Sequence, residues 1–257
     1  MPNTPEWLTA RPIAHRGLHD APAGLIENTL PAFEAAIARG FAIELDVQGT
    51  ADGNAVVFHD ETLDRLTGET GLVKERTTEE LAEIAVTGSG TRIPSLAKVL
   101  ADVDGRTPLV IEVKSIHDGD MALADAVCGA LQAYHGPAAI MSFDPAVMAH
   151  IRSNGTGRPV GVVSAPMSYT HWHESLSFLQ RIRFGALLHG PGFKADFISY
   201  EVKSLPALSP LVAKKLGGKA LMCWTVKDAA TARRAMRWVD QITFEGFDPH
   251  EAFDGRP

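Results

Sequence analysis

The sequence predicts an α/β fold, specifically a (β/α)₈ barrel, and three observations carry that expectation. Eight short β-rich runs alternate with helix-period stretches along 257 residues. Such alternation implies a parallel sheet, because parallel neighbours need long crossovers. Eight strands at this length favour a closed barrel over an open doubly wound sheet. Finally, two of the runs place carboxylates on one face and only apolar side chains on the other.

Taken in order, the strands are expected at 12–15, 42–47, 109–114, 138–142, 159–163, 195–199, 220–225 and 240–244. Helices are expected near 29–39, 120–134, 145–153, 174–183, 206–216 and 229–238. The first helix is well marked. Asn28 or Thr29 can cap it, Pro31 suits its first turn, Leu30, Phe33 and Ile37 share a face, and Gly40 stops it. Asp144 before Pro145, and Asp228, open two later helices in the same way. The stretch from about 60 to 106 is too long for one loop and helix. It holds a capping box, Thr77 with Glu80, and an amphipathic run with Leu96, Val99 and Leu100, and reads as a small insertion after the second strand. No repeat or linker breaks the chain, so 1–257 is expected to be a single domain.

Composition narrows the function. A net charge of -7 argues against a nucleic-acid partner, which needs clustered Lys and Arg, but leaves a small phosphorylated substrate open. Cys128 and Cys223 sit in apolar surroundings and are expected to be buried free thiols. The N-terminus lacks a basic region followed by an apolar run, and no segment approaches the roughly 20 apolar residues of a membrane span. A cytoplasmic location without stable membrane insertion is the default expectation; the oligomeric state is not legible.

Strand side chains alternate with period two. In 42–47, Ala42, Glu44 and Asp46 share a face opposite Ile43, Leu45 and Val47; in 109–114, Val110, Glu112 and Lys114 oppose Leu109, Ile111 and Val113. The apolar sets belong against helices, so Glu44, Asp46, Glu112 and Lys114 should point into the barrel. Three carboxylates there would repel one another and take up protons, a conflict that a bound cation removes. Oxygen-only ligation favours Mg²⁺ or Ca²⁺ over zinc. His15 should reach the same mouth, followed by Arg16, which can hold an anionic oxygen. His59 precedes Asp60, which could fix its tautomer. Either histidine alone would more often be structural; together with the carboxylates and Arg16 they suit metal-assisted hydrolysis of a phosphate ester.

Further fragments run in the same order: Glu27-Asn28-Thr29, Thr50-x-Asp52-Gly53, Val57-Phe58-His59-Asp60, Leu63-x-Arg65-x-Thr67, Ile93-Pro94-Ser95-Leu96, Glu112-Val113-Lys114 and Trp224-Thr225-Val226. With His15-Arg16-Gly17 and Glu44-x-Asp46-Val47, the whole chain resembles the glycerophosphodiester phosphodiesterases, most densely over 13–67. The resemblance implies a metal-dependent TIM barrel that hydrolyses a glycerophosphodiester to sn-glycerol 3-phosphate and an alcohol. By position, His15 and His59 would be the acid/base pair, and Glu44, Asp46 and Glu112 would hold one divalent cation. Arg16 and Lys114 would neutralise phosphate oxygens. Glu27 reads equally as a substrate-facing carboxylate or as a charge at a helix N-terminus. Trp224 would pack against the glycerol or simply end an apolar strand, and Ser142-Phe143 would line the mouth.

Two departures touch the rim. Where relatives often show Ile-x-Thr-Asp-x-Pro, this chain has Ile242-Thr243-Phe244-Glu245-Gly246-Phe247-Asp248-Pro249, and the usual Trp-Thr-Val-Asn ends in Lys227. His19, His117, His135, His150, His171, His173, His189 and His250 have no assignable partner; His171-x-His173 reads as a surface loop or helix start. Two rival functions stand beside the main one. A lysophospholipase D-like lipid phosphodiesterase would need an apolar surface at the mouth, for which Phe178, Leu179, Phe184, Leu187, Leu188 and Phe193 are candidates. A catalytically silent binding barrel would have no use for an acid/base pair.

Overall fold

The computed structural model describes residues 4–166, 168–169, 174–189 and 195–253. In chain order it forms β1 (Ile13–Ala14), α1 (Leu30–Ala38), β2 (Ala42–Gly49), β3 (Ala55–Val57), α2 (Thr78–Glu83), β4 (Ala85–Val86), β5 (Thr91–Arg92) and α3 (Leu96–Val103). There follow β6 (Leu109–Val113), α4 (Ala122–Gln132), β7 (Ala138–Ser142), α5 (Pro145–Ser153), β8 (Val160–Ser164) and α6 (Phe178–Gly185). The chain continues with β9 (Phe197–Glu201), α7 (Leu208–Lys215), β10 (Ala220–Val226), α8 (Ala229–Ala235), β11 (Gln241–Phe244) and α9 (His250–Phe253). Parallel pairing runs from β2 through β6, β7, β8, β9 and β10 to β11. β1 pairs with both β2 and β11, which closes an eight-stranded barrel. Each expected strand is present, with ends shifted by two residues at most.

Helix starts follow local chemistry. Asp144 and Asp228 cap α5 and α8, accepting from the backbone N–H of Ala146 and Thr231. α6 begins at Phe178 and not near 174, because Ser177 and Gln180 form a capping box that fixes its first turn. Thr29 occupies the cap position of α1 without a side-chain cap bond; its hydroxyl donates to the Ile26 carbonyl. The expected pair His171-x-His173 and Phe193 lie outside the described residues.

Between β2 and α3, β3 turns back antiparallel along the end of β2. The capped helix α2 and the β4–β5 hairpin follow. This segment has a small core of its own, with Val56, Phe58, Leu63, Val73, Leu81, Val86 and Ile93 packed beside Ile26. α3, inside the stretch expected as insertion, instead packs Leu96, Val99, Leu100 and Val103 into the main core, as a barrel helix does. Its start is set by Ser95, which accepts from the Lys98 N–H.

Two apolar layers separate cleanly by strand parity. Ile43, Leu45, Val47, Leu109, Ile111 and Val113 face the helices. Ile13, Ala42, Val110, Ala139, Met141, Val163, Phe197 and Met222 fill the barrel interior, with Leu8 packed among them. The interior is therefore solid below, and the inward residues one step further along β2 and β6 are Glu44 and Glu112. Space inside is tight. A Cβ on Gly161 would stand 2.3 Å from the Phe197 ring. Gly161→Ala should lower unfolding free energy by about 1–3 kcal/mol through overpacking; an unchanged urea midpoint would contradict this account of the interior.

Candidate active site

The floor of the mouth is set by pairing of β2 with β6, which places Asp46 opposite Glu112. Glu44, Asp46 and Glu112 are all buried and offer carboxylate oxygens within 4.8 Å of one another. Lys114 bridges this group, with Nζ 2.6 Å from Asp46 Oδ1 and 2.6 Å from Glu112 Oε1. Burial pushes Glu44 well above the usual carboxylate range, and the nearby Asp46 and Glu112 push it further. The Arg16 backbone N–H, at 2.9 Å, and the Lys114 charge act in the opposite direction. For Asp46, burial acts upward as well, but Lys114 with His59, Arg16 and His15 holds it far below the usual range. With all three ionised, one ammonium and one guanidinium would leave an excess of one negative charge, and that repulsion is part of what pushes Glu44 up. That donor set, all oxygen and closely spaced, could hold a divalent cation.

Arg16 stands beside the trio because the chain turns sharply after β1. Arg16 itself has φ 54° and Gly17 has φ 81°. A Cβ on Gly17 would stand 2.9 Å from the Phe33 ring, so glycine lets α1 approach. Arg16 Nη1 donates to Glu27 Oε1 at 2.7 Å, and its Nε lies 3.3 Å from Asp46 Oδ2. Burial alone would lower the Arg16 pKa, but Asp46, Glu27 and Glu44 raise it above the ordinary value, so the charge is secure. Glu27 also accepts two bonds from Arg65, at 2.9 and 2.8 Å. Its place is accordingly within the site's charge network, and the helix-terminus reading does not describe its contacts.

Each expected histidine is held through Nδ1 by a carboxylate. His15 Nδ1 lies 2.5 Å from Glu245 Oε2, and His59 Nδ1 lies 2.7 Å from Asp60 Oδ1. Contacts with His15 and His19 hold Glu245 far below the usual carboxylate range despite burial, with Lys227 adding to the effect. Asp60 is likewise depressed: burial opposes the shift, while His59 and Arg65 enforce it. An ionised carboxylate can only accept, so the proton sits on Nδ1 of each ring and the lone pair on Nε2. Burial, the largest effect on His15, lowers its pKa and favours the neutral ring.

Several partners were not legible in the sequence. Asn28, a candidate helix cap, instead donates Nδ2 to Asp46 Oδ2 at 2.9 Å and accepts from the Asp46 N–H at 3.2 Å. The two departures from the family pattern meet: Lys227 Nζ is 2.5 Å from Glu245 Oε1. His19 joins them, with Nε2 3.7 Å from Glu245 Oε2. His117 and His150 also acquire partners, Asp144 at 3.4 Å and Asp125 at 2.7 Å, away from this cluster. Trp224 lines the mouth and donates Nε1 to the Ser199 carbonyl. It meets Phe143 and Tyr169 edge-on, at 5.5 and 5.6 Å between centroids. Phe143 lines the cavity, and Ser142, buried and donating to the Val113 carbonyl, lines the adjoining groove with it. The cavity enclosed by these groups measures about 330 Å³. It joins a groove of about 820 Å³ that shares Arg16, His59, Glu112, Lys114, Phe143 and Tyr169.

The sequence model of the glycerophosphoryl diester phosphodiesterase family matches residues 15–247, nearly the whole chain. The chain belongs to this family. Among curated members, the glycerophosphodiester phosphodiesterase of Caldanaerobacter subterraneus subsp. tengcongensis is 44% identical over 111 residues. That match covers 40% of this chain and 44% of the relative, less than half its length. Human glycerophosphodiester phosphodiesterase 1 is 27% identical over 268 residues, covering 93% of this chain and 80% of that protein. A phosphodiesterase of Oleispira antarctica, solved with sn-glycerol-3-phosphate, superposes with a TM-score of 0.75 at 20% identity, over 95% of this chain and 97% of that one. The Thermotoga maritima glycerophosphodiester phosphodiesterase gives 0.69 at 24% identity, over 94% and 95%. At these identities the structures attest the family's barrel fold.

Glu27 offers a test of the network. Burial would raise its pKa, but hydrogen bonds and charge from Arg65 and Arg16 lower it from 4.5 to about 2. A depressed carboxylate contributes stability that is complete above its unfolded pKa and lost as pH falls through the folded value. Urea midpoints of the wild-type protein and Glu27→Gln should therefore differ near neutrality, with the variant weaker, and converge between about pH 4.5 and pH 2. A gap independent of pH would refute the ionic role of Glu27.

Proposed function

We propose that the chain is a phosphoric diester hydrolase that cleaves glycerophosphodiesters to sn-glycerol 3-phosphate and an alcohol. The observation that carries this reading is the convergence of two carboxylate-held imidazoles, Arg16, Lys114 and three inward carboxylates on one cavity, in a chain of this family. Residues 1–257 are read as one barrel domain with an insertion after β2, and the substrate as a small molecule.

Glu44, Asp46 and Glu112 would hold one divalent cation, Mg²⁺ or Ca²⁺. When bound, it would neutralise phosphate charge and acidify the nucleophile. Arg16 and Lys114, already drawn to these carboxylates, are placed to share their charge with phosphate oxygens. One imidazole takes the proton of the attacking hydroxyl, that of water or of the neighbouring glycerol carbon, with water in the latter case then opening the cyclic phosphate. The other delivers a proton to the departing alcohol oxygen as its bond to phosphorus breaks. Glu245 and Asp60 fix the tautomers that make Nε2 the transferring atom. The cavity of about 330 Å³ is lined by the whole charged set and Trp224 and suits the phosphate with its glycerol; the adjoining groove of about 820 Å³ has room for the second alcohol.

The groove also supports a second reading. Leu72, Ile116 and Leu123 line it, so an acylated substrate of the lysophospholipase D type has apolar wall to meet. Comparing turnover of glycerophosphocholine with lysophosphatidylcholine separates the two.

His15→Ala and His59→Ala should each reduce kcat by about 10²-fold or more while melting near the wild-type temperature. Near-wild-type turnover in either variant would remove that residue from the reaction. Chelation by EDTA should abolish glycerol 3-phosphate release, and Mg²⁺ or Ca²⁺ should restore it; full activity in metal-free protein would overturn the cation site.

A further inference from the structure

Among the described residues, the exposed large apolar side chains all fall between Phe178 and Leu216: Phe178, Leu179, Ile182, Leu188, Leu208, Val212 and Leu216. Phe178 is 68% exposed, Leu208 81% and Leu216 84%, so little of each packs against the other described residues. Five of these lie on α6 and α7, and Leu188 and Leu216 lie just beyond their ends. Large side chains so exposed and concentrated mark an interaction surface, whereas isolated ones need no explanation.

The α6 end of this surface adjoins the mouth, and α7 carries it along the barrel wall toward Leu216, where Lys214 meets Asp240. The C-terminal end of α6 is tied to the ends of β8 and β9, since Ser164 donates to the Phe184 carbonyl and Tyr200 to the Gly185 carbonyl. Ser209, in the first turn of α7, donates to the same Gly185 carbonyl, which joins the two helices. Leu176, just before α6, is buried against Ala165 in a cluster that includes Phe143, Tyr169, Phe184 and Trp224. Three of those rings line the substrate cavity.

Charge names the occupant. Over the sequence from Glu174 to Lys219 there are seven cations against Glu174, Asp196 and Glu201, in a chain whose net charge is -7. Lys194 lies outside the described residues and Lys214 pairs with Asp240 at 2.8 Å, so the positive charge of the two helices is carried by Arg181, Arg183 and Lys215. Neither α6 nor α7 contains a carboxylate, and Arg183, Lys203 and Lys215 are exposed. A second copy docking through the same face would set these cations against their own equivalents. An anionic surface would meet them favourably while accepting the apolar side chains. We infer that α6 and α7 form a peripheral docking face for an anionic lipid surface, holding the mouth beside it. No helix among the described residues is long and apolar enough to cross a membrane, so the contact is with the headgroup region and the outer acyl chain.

Sedimentation with vesicles tests this without turnover, so its outcome is independent of the proposed reaction. The full chain should pellet with vesicles of phosphatidylcholine mixed with phosphatidylglycerol but not with phosphatidylcholine alone, and high salt should release it. The double variant Phe178→Ser with Leu179→Ser should lose binding, and Arg183→Gln with Lys215→Gln should weaken it by roughly fivefold per charge. Both should keep wild-type turnover of a soluble glycerophosphodiester. Failure of the wild-type chain to bind mixed vesicles, or equal binding by both variants, would overturn the proposal. So would a concentration-dependent dimer, abolished by the Phe178 and Leu179 changes, which would assign the face to a second copy.

Discussion

Three buried carboxylates on the inner face of two adjacent strands are the constraint to which the rest of this structure answers. Each would cost several kcal/mol to bury charged without compensation. The chain surrounds them with Lys114, Arg16 and Asn28, and those groups recruit partners in turn. Arg16 is steadied by Glu27, Glu27 by Arg65, and Arg65 by Asp60, which holds His59. The network therefore runs without a break from the floor of the barrel to an exchangeable proton at its rim.

What was legible in the sequence was what repeats. Strand alternation put Glu44, Asp46, Glu112 and Lys114 on one inner face, because period two leaves a side chain no third direction. The order of strands and helices followed from the same patterning, and the caps at Asp144 and Asp228 from local hydrogen-bond chemistry. What was not legible depends on loops meeting across the barrel. Glu245 is far from His15 in sequence, and nothing local marks them as partners. Asn28 shows the other limit: an asparagine before a helix signals a cap, yet here the same amide faces Asp46. The start of α6 was missed for a smaller reason, since an amphipathic pattern extends in both directions and only Ser177 and Gln180 end it.

The departures from the family pattern at the rim make physical sense as a pair. Lys227 alone would add an unbalanced charge beside His15, and a longer acid at Glu245 would have an oxygen to spare. Together one carboxylate oxygen takes the imidazole and the other the ammonium. The charge at this edge is then a property of the pair and not of either residue.

Arg65 lies in the segment between β2 and α3, whereas Glu27 lies before α1 of the barrel. The segment looks like the part of the chain most free to vary, having its own small core and a short antiparallel attachment to β2. Its guanidinium nevertheless satisfies two carboxylates of the site. Exchange of this segment between related barrels is thereby restricted: a donor of different length or sequence can be accommodated, but one that does not return a cation to this position leaves Glu27 and Asp60 short of a partner.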